Sequence, residues 1–115
     1  YEPKASREER EQGCQNLPSK SGASAVERKE GSKGVDNPRA GAGRTADNVK
    51  NYHPTVKPVS LMRWLVRLCC PVSGTFVEPF AGSGSTLVAA KAEGRDALGI
   101  EIDPGYAKIA EARCA

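Results

Sequence analysis

Two carboxylates frame a glycine-rich turn. Glu78 opens the run Glu78-Pro79-Phe80-Ala81-Gly82-Ser83-Gly84-Ser85-Thr86, and Glu101 follows Gly82 by 19 positions. Glycines at 82 and 84 let a ligand approach the backbone where a side chain would clash, and a helix starting after the turn offers free N–H groups to an anionic group. A carboxylate about 20 residues beyond such a turn is where nucleotide-binding folds take up ribose hydroxyls. A dinucleotide fingerprint wants a third glycine where Leu87 stands, which also argues against a nicotinamide-dependent oxidoreductase. A phosphate-binding P-loop wants a lysine after its last glycine, and Ser85-Thr86 follows instead. Glu78 disfavours pyrophosphate and suits a ligand that carries an ammonium and a sulfonium. An ordinary strand-to-helix turn would explain the glycines alone, but not the two carboxylates at this spacing.

The elements that must position these residues follow from periodicity. Leu61, Met62, Leu65, Leu68 and Cys69 recur at helical spacing after Pro58, with Ser60, Arg63 and Arg67 on the opposite face, and Pro71 with Gly74 stops the run. Thr75–Glu78 reads as a short buried strand, Ser85–Glu93 as a helix closed by Gly94, and Asp96–Glu101 as a second strand. Asp103 and Pro104 start a last helix that repeats Tyr106, Ile109, Ala110 and Arg113. Two strands joined by a helix form a right-handed parallel unit, the start of a doubly wound α/β sheet.

The chain changes character near Tyr52: 12 of residues 1–50 are apolar against 32 of residues 51–115. The division is therefore a linker or variable region over 1–50 and a folded region over 51–115. The first part mixes glycine, serine and both charge signs, cannot bury enough apolar surface to offset its ordering entropy, and is expected to be disordered from about Lys20 to Asn48 without a partner. A short polar helix over Ser6–Gln12, capped by Ser6 with Glu9 three residues on, would have little to pack against. Eight acidic residues alternate with Lys4, Arg7, Arg10, Arg28 and the other basic residues before position 51, so a solvated linker fits as well as a phosphate-binding arm. A net charge of +3 is too mild to mark a nucleic-acid protein by itself. No apolar run is long enough to span a membrane, so no membrane partner is expected and a cytoplasmic location is the default. Cys14, Cys69, Cys70 and Cys114 match neither a disulfide framework nor a zinc pattern; free thiols are expected, with Cys69 and Cys114 as core filler and no metal site. His53, beside Pro54, reads as a structural or loop residue rather than a general base, and Trp64 as a partly buried core aromatic rather than a base-stacking platform.

Three blocks in order carry a family resemblance: Asn51-Tyr52-His53-Pro54-Thr55-Val56-Lys57-Pro58, the run Glu78–Thr86, and Gly99-Ile100-Glu101-Ile102-Asp103-Pro104-Gly105-Tyr106. Over about residues 51–113 the chain resembles the amino-methylating DNA methyltransferases that modify adenine-N6 or cytosine-N4, in the permuted class whose catalytic segment comes first. The resemblance implies a Rossmann-like, S-adenosyl-L-methionine-dependent methyltransferase fold, present here in part as about two parallel strands and three helices behind a long flexible N-terminal loop. It assigns Thr55 and Lys57 to the methionine part of the cofactor. Glu78, Pro79, Phe80, Gly82 and Gly84 would hold its methionine and adenosine parts, Glu101 its ribose, and Ile102 would lie beside the adenine ring. Double-stranded DNA is the implied substrate, adenine ahead of cytosine, and the full-length enzyme admits a homodimer.

Glu78 for the family's usual aspartate and Ser85 for its usual threonine conserve the chemistry. The larger departure is that the family's catalytic tetrapeptide, Asp, Asn or Ser followed by Pro-Pro and an aromatic residue, occurs nowhere in the sequence; Asn37-Pro38-Arg39 lacks the second proline and the aromatic residue. No catalytic residue is therefore assigned here. With Tyr1 as the first residue, the sequence reads as a piece of a longer chain whose catalytic segment lies upstream, inactive when isolated. The rival reading is a non-catalytic remnant that keeps cofactor or partner contacts.

Overall fold

The computed structural model describes residues 2–21 and 48–115 of the chain. Most of the stretch expected to be disordered, residues 22–47, lies outside the described residues.

A five-residue helix, α1 (Arg7–Glu11), comes first, with Ser6 as its cap accepting from the Glu9 N–H at 3.1 Å. It buries no residue, in keeping with its polar sequence. An antiparallel bridge between Lys20 and Val49 brings the two described stretches together. Helix α2 (Val59–Cys69) then leads to β1 (Thr75–Glu78), α3 (Ser85–Ala92), β2 (Asp96–Gly99) and α4 (Pro104–Cys114). The two strands are parallel, pairing Thr75 with Asp96 through Glu78 with Gly99. The expected second strand is two residues shorter by backbone shape, yet the ladder continues past it. Ile100 N–H donates to the Glu78 carbonyl and Ala81 N–H to the Ile100 carbonyl, both at 2.9 Å.

The core lies between helices. Ala89 and Ala90 of α3 are buried with Val66 of α2 on one side and Ile109 and Ala110 of α4 on the other. Small side chains on α3 let both neighbours approach closely, and helix packing rather than propensity stabilises elements of this length. Glu93, just after α3, receives Arg63 of α2 at 2.6 Å and lies 3.6 Å from Arg67, and the Arg63 hydrogen bond holds its carboxyl below the usual carboxylate range. Asp103 caps α4 by accepting from Tyr106 N–H at 2.8 Å, with Pro104 at the first helical position as expected.

Four expectations need correction. Thr75–Glu78 is not buried: its residues alternate between exposed and half-buried, and β2 is exposed throughout, because a two-stranded sheet has α3 against it and little else. On α2 the expected stripe holds at Leu61, Met62 and Leu65, which are half-buried, but its most buried position is Val66, while Leu68 is 67% exposed and Cys69 is exposed. Trp64 lies outside that stripe at 56% exposed and is not a core aromatic. The thiols are free among the described residues; the buried ones are Cys14 and Cys70, while Cys114 is half-buried and Cys69, expected in the core, is exposed. No described helix is long and apolar enough to cross a membrane.

Ile109 is 1% exposed. Truncating it to alanine is expected to destabilise the protein by about 2–5 kcal/mol through a cavity between α3 and α4, against about 1 kcal/mol for Asp103→Ala, which removes one cap. Urea unfolding of the two variants checks the order; equal midpoints would contradict this account of the core.

Candidate functional site

The turn after β1 is built by hydrogen bonds that leave its glycines little choice. Gly84 N–H closes onto the Ala81 carbonyl at 2.8 Å, and Gly82 and Gly84 take φ of 55° and 74°, in the left-handed region that disfavours a side chain. Both glycines are buried, and the neighbours that exclude a side chain there belong to the protein. A Cβ on Gly82 would lie 2.8 Å from His53 Nε2, and one on Gly84 would lie 3.0 Å from the Cα and Cβ of Ala110 in α4. The sequence reading attributed both glycines to ligand approach. The structure adds a reason within the chain: the turn is pressed between the His53 ring and α4.

That packing also covers the start of α3. Ser83 and Ser85 are buried, and Arg113 from α4 donates through Nη1 to the Ser83 carbonyl at 2.7 Å, to Ser85 Oγ at 3.1 Å and to Ser83 Oγ at 3.2 Å. Desolvation lowers the Arg113 pKa, yet a guanidinium stays charged, so a buried cation lies against the start of α3. Among the described residues its Nε has no partner. Periodicity marks Arg113 only as one of the positions that recur at helical spacing along α4.

The opposite side of the turn is open. Glu101, half-buried just beyond β2, accepts Gly82 N–H at 2.8 Å through one carboxylate oxygen and Asp103 N–H at 2.9 Å through the other. Those backbone hydrogen bonds, Asp103 first, hold its pKa below the usual carboxylate value. An ionised carboxylate offers about four lone-pair sites, so acceptor capacity remains for a ligand. Glu78 is half-buried at the end of β1 with one oxygen 3.3 Å from Phe80 N–H. Pro79 is exposed, Phe80 is 86% exposed and Ile102 98% exposed, so two large apolar side chains stand uncovered beside the carboxylates at the C-terminal ends of the parallel strands. This is the edge at which open α/β sheets bind ligands.

The segment Asn51–Pro58 reaches the turn through His53. Its imidazole packs edge-on against Tyr106 at 4.5 Å between centroids, and Nδ1 accepts Thr55 N–H at 3.2 Å, which assigns the proton of the neutral ring to Nε2. Burial lowers the His53 pKa, although Glu101 pulls it upward. The side chains of Thr55 and Lys57 are exposed and make no hydrogen bond or ion pair among the described residues. The structure therefore draws together Glu78, Pro79, Phe80, Gly82, Glu101 and Ile102, attaches Thr55 through its backbone, leaves Lys57 facing solvent, and turns Gly84 inward.

The model of the DNA methylase family matches residues 3–112. This chain belongs to the N6/N4 amino-methylating DNA methylase family. It is 34% identical over 77 residues to the type II methyltransferase M.ScaI of Streptomyces caespitosus, covering 66% of this chain and 25% of that protein. To M.HindIII of Haemophilus influenzae it is 40% identical over 67 residues, covering 58% and 22%. The crystal structure of an M1.HpyAVI–SAM complex superposes with a TM-score of 0.51 at 34% identity, over 53% of this chain and 30% of that one. The fold is thus part of the Rossmann-like methyltransferase fold, and the chain spans about a quarter of the length of the curated relatives it matches.

His53 is the only histidine in the chain, so its titration can be followed directly. Its midpoint is expected below the ordinary value of 6.5. With the folded pKa below the unfolded one, the unfolded chain binds more protons between the two, so the contribution of His53 to stability is complete above about pH 6.5 and declines as pH falls toward the folded pKa. Proton NMR of the imidazole, with urea unfolding at several pH values, checks both; a midpoint above 6.5 would contradict the packing against Gly82.

Proposed function

We propose that this chain is the S-adenosyl-L-methionine-binding part of a DNA methyltransferase that methylates an exocyclic amino group. Residues 51–115 would form the cofactor region, and residues 1–50 would belong to the variable or target-recognition region. The observation that carries the reading is the pairing of a doubly hydrogen-bonded Glu101 with the uncovered Phe80 and Ile102 at one strand edge. The donor set fits the cofactor. Glu101 has lone pairs left for ribose hydroxyls, Glu78 offers negative charge to an ammonium or sulfonium, and Phe80 and Ile102 offer apolar faces to a base. The relative crystallised as a SAM complex supports this choice.

S-adenosyl-L-methionine, when bound, supplies a methyl group activated by a sulfonium. The residues of this chain bind and orient it. Gly82 keeps the turn close to the ligand and donates its N–H to Glu101, which would hold the ribose; Thr55 and Lys57 would meet the methionine part, with Pro79 and Gly84 shaping the turn. The target is double-stranded DNA, with a base flipped from the duplex and adenine-N6 ahead of cytosine-N4. The catalytic tetrapeptide is absent from this sequence, so the chemistry would fall to an upstream segment of the same polypeptide, in a cytoplasmic enzyme that could work as a homodimer.

In the enzyme assembled with the upstream segment, Glu101→Ala is expected to weaken S-adenosyl-L-methionine binding by about 1–3 kcal/mol, and Gly82→Val to abolish it because the turn can accommodate neither the left-handed φ nor the branched side chain. Calorimetric titration reads both. Residues 1–115 alone are expected to transfer no labelled methyl group to mixed-sequence DNA, with transfer appearing when the upstream segment is added and the modified nucleoside identifying the base. Unchanged affinity in both variants, or turnover by residues 1–115 alone, would overturn the respective part of the proposal.

A further inference from the structure

The segment Asn51–Pro58 has no regular structure, yet buried backbone groups need partners. Four of the main-chain groups between Lys50 and Val59 find theirs on three consecutive residues of α1. Glu11 accepts the N–H groups of Lys50 at 3.1 Å and Asn51 at 3.4 Å, one on each carboxylate oxygen. Arg10 donates to the His53 carbonyl at 3.0 Å, and Glu9 accepts Val59 N–H, the first of α2, at 2.6 Å. That last contact matters because Pro58, the residue at the cap position, has no side chain able to cap α2. The fully buried Asn51 locks the arrangement from the other side, donating to the Arg10 carbonyl at 2.7 Å and accepting His53 N–H at 3.2 Å.

Consecutive helix positions project about 100° apart, so three of them can bind one strand of chain only if that strand wraps around the helix. A five-residue helix without buried apolar side chains has no stability of its own; these polar contacts, made across 39 to 50 residues of sequence, anchor it together with the buried Cys14 just beyond its end. The path continues to the candidate site, since the residue whose carbonyl Arg10 binds is the one whose ring meets Gly82, and Gly82 N–H is held by Glu101.

We propose that Glu9, Arg10 and Glu11 are positioning residues for the cofactor, a clasp that sets His53 against the glycine turn and so tunes cofactor affinity without touching the ligand. The proposal rests on the cofactor reading above. Because Glu9 uses one oxygen and Glu11 uses both, the amide variants should differ: Glu9→Gln keeps its single acceptor, whereas Glu11→Gln loses one of two.

The test is made in the enzyme assembled with its upstream segment, by calorimetric titration with S-adenosyl-L-methionine and by steady-state methyl transfer. Arg10→Ala and Glu11→Ala are each expected to raise Kd and KM for the cofactor about tenfold, the loss of a charged hydrogen bond, while kcat at saturating cofactor stays within about twofold. Glu9→Ala should behave likewise, Glu9→Gln should restore the unaltered affinity, and Glu11→Gln should fall between. If Glu11→Ala does not fold, the Glu9 pair and Glu11→Gln decide. Normal cofactor affinity in the alanine variants, or a lowered kcat at unchanged KM, would overturn the clasp alone. No binding by the unaltered enzyme would instead overturn the cofactor reading and the clasp with it.

Discussion

The ends of β1 and β2 are joined by one carboxylate. Glu101 accepts Gly82 N–H from the turn after the first strand and Asp103 N–H at the start of α4, so a single side chain sets the turn relative to the second strand and to the last helix. Hydrogen bonds to an ionised acceptor are among the stronger ones available to a protein, and here both pull the carboxyl toward its charged form. Asp103 in turn caps α4, whose Ala110 meets Gly84 and whose Arg113 holds Ser83 and Ser85. The turn is thus fixed from below by α4 and from above by Glu101, which leaves the exposed Phe80 and Ile102 as its open rim.

Protein packing and ligand access make different demands on the same glycines. Gly82 faces His53 and Gly84 faces α4, so each would resist substitution in the absence of any ligand. A glycine-rich turn is therefore not in itself a measure of how closely a ligand approaches. The negative charge beside this turn is the more informative feature. Arg113 adds a cation on the buried side of the same turn while Glu78 and Glu101 stand on the open side, so the charges are divided between its two faces.

The polar helix α1 shows how a segment without an apolar core can still have structure. Its sequence offers no hydrophobic stripe, and periodicity alone gives it little to pack against. It is anchored by the buried Cys14 just beyond its end and by Glu9, Arg10 and Glu11, which satisfy four backbone groups of the irregular chain from Lys50 to Val59. A boundary drawn at residue 50 on composition thus separates residues that hydrogen bonding joins.

What could be read from the residues in order was local. Ser6, Asp103 with Pro104, and Gly94 mark helix ends because caps act within four residues, and the spacing of Glu78, Gly82 and Glu101 follows from one strand-helix-strand unit. The buried face of α4 was legible for the same reason, since Ile109, Ala110 and Arg113 lie on one helical stripe. The exposure of β1, β2, Trp64 and Leu68 was not legible, because apolar character states what a side chain gains from a partner and not whether a partner is there. Nor were the clasp on Asn51–Pro58, the ring of His53 against Gly82, or Arg113 at the start of α3. Each joins residues 28 to 50 positions apart, and contacts of that range depend on how the helices pack, which no local pattern of residue types encodes.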